Sequence, residues 1–307
     1  MNENDKCNLC PRRCNADRVH KQKGFCQMTD DVYIARAALH MWEEPCISGE
    51  NGSGAVFFSG CQLRCVFCQN NAISTGKAGR KISIAELAQQ FLKLQEQKAN
   101  NINLVTPTHY VPQIIKALSM AKENGLRIPV VYNTSSYENV ETLKMLEGYV
   151  DVYLPDLKYM DNHIAMKYSN AGDYFDIASK AIAEMLRQTG KPQFYKAAEN
   201  KYCEAGIMKK GVIVRHLIMP GMTKDSKNIV KYLYETYSND IYISIMNQYT
   251  PLKCVEKYPE LNRKVTSKEY DDVVDYAIEL GVENGFIQEG ETAQESFIPE
   301  FDLEEIK

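Results

Sequence analysis

Short apolar runs alternate with amphipathic segments along most of the 307-residue chain. Six of these runs are rich in Val, Ile, Tyr and Phe and nearly continuously apolar, which is typical of parallel strands buried on both faces. The predicted strands are residues 55–60, 102–107, 128–134, 150–156, 212–220 and 241–247. No long linker rich in Gly, Ser or Pro separates them, so we expect parallel strands joined by right-handed crossovers. The pattern leaves open whether the units form an open doubly wound sheet or an incomplete barrel.

Amphipathic patterns predict helices in the intervals between these strands. Ser83 and Glu86 form a capping-box signature ahead of an apolar stripe, and Asn124-Gly125 is suited to end the next helix. Further helices are expected over residues 137–147, 225–237 and 267–280, and between the fourth and fifth strands ahead of Gly190.

The composition is that of an ordinary globular protein, with 44% hydrophobic and 25% charged residues. A net charge of −4 gives no reason to expect nucleic acid or an anionic membrane as a partner. The first residues lack the apolar core of a signal peptide, and no run approaches the roughly 18 apolar residues of a membrane-spanning helix. We therefore expect a cytoplasmic protein without a membrane partner.

The chain contains ten cysteines. Without an export signal, closely spaced cysteines are expected to be metal ligands or redox groups rather than disulfides. Seven of them form two groups, and Cys46, Cys203 and Cys254 stand apart. We expect Cys203 and Cys254 to be structural, whereas Cys46 could belong to either group or to neither.

One group is Cys61-x3-Cys65-x2-Cys68, which places three thiols directly after a predicted strand. Zinc sites usually take their ligands from two separated pairs, so three cysteines on one short loop suit an iron–sulfur cube better. A [4Fe–4S] cluster normally has four cysteine ligands, so three would leave one iron with an open coordination position. An open position distinguishes a catalytic metal from a structural one.

With the aromatic Phe67 directly before its third cysteine, this motif resembles the signature of the radical S-adenosylmethionine (SAM) superfamily. The wider segment SGENGSGAVFFSGCQLRCVFCQNNAIS is similar to homologues of pyruvate formate-lyase activating enzyme, and the resemblance runs from CNLCPRRC to NQYTP. It implies an incomplete (β/α)6 barrel with a cysteine-rich N-terminal extension. The implied regions are the extension over residues 1–54, the barrel over 55–285 and a C-terminal extension over 286–307.

The resemblance also implies a reaction. SAM would bind the open iron of the [4Fe–4S] cluster, and one electron from a flavodoxin- or ferredoxin-type protein would cleave it to methionine and a 5′-deoxyadenosyl radical. The radical would abstract hydrogen from a glycine of a protein or peptide, such as a glycyl radical enzyme. A small molecule or a modified peptide is an alternative substrate. A non-catalytic iron–sulfur or zinc-binding protein is the alternative outside enzymes.

In α/β barrels the functional residues gather at the carboxyl ends of the strands. By resemblance, Phe67 lies near the adenine, and Asp156 and Lys158 match an activating-enzyme segment that meets SAM. Thr106 and Thr108 stand where the superfamily commonly carries a Gly-Gly-Glu segment, so their assignment rests on position. The expected SAM-binding residues are Phe67, Thr106, Thr108, Asn133, Thr134, Asp156, Lys158 and Arg215.

Arg215 and His216 interrupt the apolar run of the fifth strand. A charge there is costly unless it is paired, so we expect Arg215 to face a carboxylate inside the barrel. We expect His216 to be a hydrogen-bonded core histidine. His109, which follows Pro107, is either a site residue or a surface residue near the start of a helix.

The second cysteine group, Cys7-x2-Cys10-x3-Cys14-x11-Cys26, supplies enough ligands for a closed metal site. Zinc and a second iron–sulfur cluster both fit this spacing. We expect a structural metal site that orders the N-terminal extension against the barrel; electron relay to the first cluster is the alternative. Free thiols this close together would oxidise readily.

Overall fold

The computed structural model describes residues 6–195 and 205–288. Cys203 and residues 289–307, which make up most of the predicted C-terminal extension, lie outside the described residues.

Ten strands of the described chain belong to one mixed sheet, with β7 at its side paired to β8. They are β1 (Val32–His40), β2 (Ser53–Phe58), β3 (Arg80–Ile82), β4 (Ile102–Val105), β5 (Val130–Thr134), β6 (Val152–Pro155), β7 (Gln193–Phe194), β8 (Met208–Leu217), β9 (Tyr242–Met246) and β10 (Gly285–Ile287). The order β2-β4-β5-β6-β8-β9 is parallel throughout, which confirms the six predicted strands. Every residue of β2, β4, β5 and β6 is buried, as their near-continuous apolar sequences require.

Four strands were not predicted. β1 pairs antiparallel with β2, and β3 pairs antiparallel with β1. β7 pairs antiparallel with β8, and β10 pairs parallel with β9. These strands are short or carry mixed burial patterns, so their sequences lack the continuous apolar signal of the central six. Within the described residues the sheet runs from β10 to β3 without joining its two edges, so the barrel is incomplete, as the resemblance implied.

The longer helices of the described chain connect successive parallel strands. The helices are α1 (Pro45–Ser48), α2 (Asn71–Ser74), α3 (Ile84–Glu96), α4 (Val111–Glu123), α5 (Val140–Lys144), α6 (Asn162–Ser169), α7 (Tyr174–Thr189), α8 (Thr223–Tyr237) and α9 (Ser267–Leu280). The capping box of α3 is present, with Ser83 accepting from the Glu86 backbone N–H. α4 and α7 end at Asn124 and Gly190 as predicted. None of the helices in the described ranges is both long and apolar enough to cross a membrane.

Two helices, α6 and α7, occupy the interval between β6 and β8, where at least one was predicted, and α7 carries the predicted apolar stripe. α5 covers only Val140–Lys144 of the predicted 137–147, because Tyr137 and Glu138 belong to a loop whose side chains turn into the protein. The boundaries of the three predicted regions stay predictions; β1 falls within the first and hydrogen-bonds with β2 of the second.

Candidate active site

A cavity of about 240 Å³ lies at the carboxyl ends of the parallel strands. Cys61, Cys65 and Cys68 all line it, as does Phe67. The loop that carries them begins at Gly60, whose φ of 88° favours glycine. A Cβ atom at this position would lie 2.7 Å from the Cys26 carbonyl oxygen, so the N-terminal extension and the cysteine loop meet here backbone to backbone.

The cysteine loop is held on its far side by the end of α6. The backbone N–H of Val66 donates to the Tyr168 carbonyl at 2.9 Å, and that of Arg64 donates to the Ser169 carbonyl at 3.3 Å. The Ser169 hydroxyl donates to the Cys65 sulfur at 2.9 Å. Hydrogen bonds to ligand sulfurs are one way in which proteins tune iron–sulfur clusters.

The three thiols are held in a desolvated setting. Burial raises the pKa of Cys61 to about 12 and that of Cys65 to about 11, and it also raises the pKa of Cys68. Such thiols stay protonated in the absence of a metal. Binding of iron releases the proton, because cysteine binds a metal as the thiolate.

A buried network of charges forms the opposite wall of the cavity. Arg215 Nε donates to Asp156 Oδ1 at 3.0 Å, and Lys158 Nζ donates to Asp156 Oδ2 at 2.5 Å. The guanidinium also reaches Asn133 Oδ1 at 2.6 Å and Glu43 Oε2 at 3.1 Å. All five residues line the cavity. The expectation that Arg215 faces a carboxylate is therefore met twice, by Asp156 and by Glu43.

The charges of this wall stabilise one another. Burial opposes the ionisation of Asp156, but Lys158 and Arg215 outweigh it and hold its pKa below the usual value. Burial raises the pKa of Glu43 and of the adjacent Glu44, with Arg215 opposing the rise in both. The result is a polar, largely water-excluded wall that carries both signs of charge. A zwitterionic ligand with a carboxylate and an amino group suits such a wall.

Thr106 and Thr134 also line the cavity. Thr106 has a φ of 58°, an unusual conformation for a β-branched residue, and its N–H donates to the Asn133 carbonyl at 2.9 Å. Backbone strain of this kind concentrates at functional sites. Of the eight expected SAM-binding residues, the structure brings seven to the cavity; they are Phe67, Thr106, Asn133, Thr134, Asp156, Lys158 and Arg215.

The structure does not bring Thr108 to the cavity. Its side chain is fully buried, donates to Glu138 Oε1 at 2.6 Å and accepts from Gln62 Nε2 at 2.9 Å. Thr134 donates to the same Glu138 oxygen. Burial raises the pKa of Glu138 to about 7, with the two threonine hydroxyls opposing the rise. This network also anchors the cysteine loop, because Gln62, which donates to Thr108, belongs to that loop.

The two histidines in question are both core residues. His109 is buried, with Nε2 2.7 Å from the Ser59 carbonyl oxygen, and it does not line the cavity. Both alternatives predicted for His109, a site residue and a surface residue, are therefore wrong. His216 lies between the Leu157 carbonyl and the Ser226 hydroxyl, as expected of a hydrogen-bonded core histidine.

Sequence reasoning missed several residues that line the cavity. Glu43 and Trp42 come from the segment after β1, and Gln69 follows the third cysteine. Gln69 Nε2 donates to the Gln248 carbonyl at 2.9 Å, which joins the cysteine loop to the end of β9. The consecutive acids Glu43 and Glu44 were visible in the sequence, but no local pattern showed that they enter the barrel.

The N-terminal cysteines lie beside the cysteine loop, not inside the cavity. Cys7, Cys10 and Cys26 are buried and Cys14 is exposed. Phe25, next to Cys26, lies between two guanidinium groups, 4.3 Å from that of Arg12 and 4.4 Å from that of Arg64. We call these three residues the arginine–phenylalanine stack.

The stack binds the backbone of the cysteine loop. Arg12 Nε donates to the Gln62 carbonyl at 2.8 Å. Arg64 Nη1 donates to the Cys61 and Leu63 carbonyls, each at 2.9 Å. Three successive carbonyl groups of the loop thus depend on side chains that Phe25 holds in place.

In the described part of the chain, no three Cys, His, Asp or Glu side chains converge as ready-made ligands of a single metal ion. This applies to the three loop cysteines as well as to the N-terminal four. A [4Fe–4S] cluster attaches its cysteines to separate irons, so its ligands need not converge on one point. Three thiols around one cavity, beside a wall of both charges, fit a cluster together with a zwitterionic ligand.

Residues 55–233 match the family model of the radical SAM superfamily. The match spans more than half of the chain and contains the cysteine loop. The chain belongs to this superfamily. Membership of the superfamily implies that a [4Fe–4S] cluster and SAM are the cofactors, which agrees with the chemistry of the residues around the cavity.

Two curated relatives show how far the likeness extends. The chain is 30% identical over 281 residues to the uncharacterised protein MJ0674 of Methanocaldococcus jannaschii, covering 88% of this chain and 74% of that protein. It is 23% identical over 186 residues to pyruvate formate-lyase-activating enzyme of Staphylococcus aureus, covering 57% of this chain and 65% of that enzyme. The alignment with the activating enzyme thus leaves about a third of the enzyme unmatched.

Among solved structures, SuiB of Streptococcus suis bound to the precursor peptide SuiA aligns with a TM-score of 0.48 at 13% identity. The alignment covers 76% of this chain and 47% of SuiB, so this chain spans about half of the length of SuiB.

Proposed function

We propose that this protein is a radical SAM enzyme whose Cys61, Cys65 and Cys68 bind a [4Fe–4S] cluster and whose charged wall binds SAM. The observation that carries the proposal is that the three thiols and the Asp156–Arg215 network line one cavity at the carboxyl ends of the strands. When bound, the cluster and SAM supply a carbon-centred radical for hydrogen abstraction.

The residues of this chain then bind, orient and shield. Asp156 is suited to accept from an amino group, and Lys158 and Arg215 are suited to pair with a carboxylate. Phe67, which contacts Tyr249 at a ring-centroid distance of 6.1 Å, offers an apolar face beside the third cysteine. Thr106 and Thr134 provide further hydroxyl groups. The burial of the charged wall excludes water, which protects a reactive species from unwanted reactions.

For the substrate we propose a glycine residue of a protein or peptide, as in the activation of a glycyl radical enzyme. The likeness to the Staphylococcus aureus activating enzyme supports this choice. A small molecule or a modified peptide remains the second candidate substrate, because one fold hosts many reactions. We propose a cytoplasmic reductant of the flavodoxin or ferredoxin type, which would deliver the one electron that cleavage of SAM requires.

The proposal is tested by reconstituting the protein anaerobically and reducing it in the presence of SAM. We expect 5′-deoxyadenosine and methionine to form in the wild type. Cys65→Ala should lose this activity and most of the visible absorbance of the cluster, while Cys254→Ala, at an exposed cysteine outside the cavity, should keep both. If wild-type protein with an intact cluster forms no 5′-deoxyadenosine, the proposal is wrong. Hydrogen abstraction from a candidate glycyl radical enzyme is then read by electron paramagnetic resonance.

A further inference from the structure

Residues 6–31, which hold the N-terminal cysteines, contain neither helix nor strand. A segment this small has no core of its own, and small units without regular secondary structure usually need a cross-link or a metal to keep a single conformation. The described cysteines form no disulfide. The segment nevertheless makes the close contacts with the cysteine loop described above.

The four thiols of this segment lie near one another. Cys10 interacts electrostatically with both Cys7 and Cys26, and Cys26 interacts with Cys7 and Cys14. Gly24 lies between two of them: a Cβ atom there would be 3.2 Å from the Cys14 sulfur and 3.5 Å from the Cys26 sulfur. A side chain at residue 24 would therefore crowd the Cys14 sulfur and touch the Cys26 sulfur, which places the two sulfur atoms on the same side of this turn.

Arg18 provides the second, independent observation. It is only 1% exposed, yet its hydrogen-bond partners in the described chain are two carbonyl groups and one sulfur. Its guanidinium donates to the Thr29 carbonyl at 2.6 Å, to the His109 carbonyl at 2.6 Å and to the Cys7 sulfur at 3.7 Å. No carboxylate of residues 6–195 or 205–288 pairs with it.

A buried guanidinium without an anion is costly, because it has lost its hydration and gained no opposite charge. Neutral thiols do not supply that charge. Cysteines that bind a metal do, since they bind as thiolates, and four thiolates around a divalent ion or a cluster carry a net negative charge. The position of Arg18 beside Cys7 is therefore explained if these cysteines are metal-bound.

We propose that Cys7, Cys10, Cys14 and Cys26 bind a thiophilic metal centre, a zinc ion or an iron–sulfur cluster, for which the buried Arg18 is the counter-charge. The centre fixes the turn that carries Phe25 and Cys26 against Gly60. It thereby holds the arginine–phenylalanine stack on the three loop carbonyl groups. A cluster would bind these sulfur atoms through separate irons, whereas a zinc ion would require rotation of the thiols toward one point, above all of the exposed Cys14.

The first test compares two exposed cysteines, Cys14 and Cys254, by alkylation of the anaerobically purified protein under reducing conditions. Mass spectrometry identifies which cysteines react. We expect Cys14 to be protected at least tenfold relative to Cys254, and to become reactive after a chelator has removed the metal. Equal reactivity of Cys14 and Cys254 before chelation overturns the proposal, and this result does not depend on the folding of any variant.

The second test removes the first cluster and counts the remaining metal. A variant with Cys61, Cys65 and Cys68 all changed to Ala retains the N-terminal group and the three cysteines that stand apart from both groups. We expect about one zinc ion per chain, without colour, or about four irons with the brown absorbance of a cluster. Neither zinc nor iron in stoichiometric amount overturns the proposal. Adding Cys26→Ser to this variant should abolish the remaining metal.

The counter-charge is tested by Arg18→Met in the same triple-alanine background. Neighbours that support metal ligands contribute 10- to 100-fold to metal affinity in general, so we expect the metal to be lost to a competing chelator at about tenfold lower chelator concentration. Arg18→Lys should restore part of the affinity because it keeps the charge. Retention of the metal by Arg18→Met at the same affinity as Arg18→Lys contradicts the assigned role of Arg18. These readouts do not involve SAM cleavage, so they fail or succeed separately from the proposed reaction.

Discussion

Arg215 and Glu43 form an ion pair of 3.1 Å between strand β8 and the segment that precedes the barrel, across 172 residues of sequence. Both side chains are largely buried, with 13% and 8% of their surfaces exposed. The pair ties the segment after β1 to the charged wall of the cavity. Glu43 thus belongs to the candidate active site although it lies before the barrel in sequence.

Glu43→Gln is expected to destabilise the fold, because it leaves part of the buried Arg215 charge uncompensated. Breaking a buried pair by removing one partner costs on the order of 3 kcal/mol, which should appear as a lower denaturation midpoint in urea. Glu123→Gln, on the exposed face of α4, is the matched control and should change little. The double variant with Arg215→Gln should be less destabilised than the sum of the two single changes. Strict additivity would show that the two side chains do not interact.

Ser169→Ala removes the hydroxyl that donates to the Cys65 sulfur. A hydrogen bond to a ligand sulfur favours the reduced, more negative cluster, so its loss should lower the reduction potential, on the order of 50 mV for a tenfold change in a one-electron couple. Redox titration followed by electron paramagnetic resonance measures the shift. Ser169→Thr keeps the hydroxyl and should restore the potential. An unchanged potential in the alanine variant would mean that Ser169 acts on Tyr159, 2.7 Å away, and not on the cluster.

Phe25→Leu removes the ring between Arg12 and Arg64. Each cation–π contact is worth about 0.5–2 kcal/mol, so the cysteine loop should lose its cluster several-fold faster under a chelator, while SAM cleavage per intact cluster is preserved. Absorbance decay gives the rate. Phe175→Leu is the control, since Phe175 is also half-buried but packs on Tyr232 far from the loop in sequence. Equal rates of cluster loss in the two variants would argue against support of the loop by the stack.

Glu138→Gln tests a pH dependence. Burial raises the pKa of Glu138 to about 7, whereas the unfolded chain keeps a value near 4.5. Between these values the folded protein holds a proton that the unfolded chain has released, so the contribution of Glu138 to stability falls as pH rises through this window and is constant above it. Across this window the free energy of unfolding of the wild type should fall by about 3 kcal/mol through Glu138 alone.

The glutamine variant should lack this component. Its free energy of unfolding, measured in urea at about pH 5 and about pH 8, should fall less with rising pH than that of the wild type. Glu123→Gln should keep the wild-type slope. If the glutamine variant and the wild type show the same dependence, Glu138 is ionised in the folded protein across the whole range.

The contrast between Thr106 and Thr108 shows what position alone can predict. Both follow β4, and both were expected at SAM on that ground. The strained backbone at Thr106 and the turn at Pro107 direct the first into the cavity and the second into the network around Glu138. The strand end was predictable because burial on both faces leaves a continuous apolar run. The direction of each side chain after the strand was not, because it depends on contacts with β5 and the cysteine loop.

The sequence by itself determined the six central strands, most of the helices, and the three cysteines with their aromatic neighbour. These features are local: strand burial, helix caps and the spacing of ligands on one loop are encoded within a few residues of each other. Only the tertiary structure decided that Glu43 pairs with Arg215, that Phe25 lies between Arg12 and Arg64, and that Arg18 is buried beside Cys7. The partners in each of these contacts come together only when the chain folds. Charged and aromatic residues at such positions follow no periodic pattern, so the sequence does not predict which of them will pair.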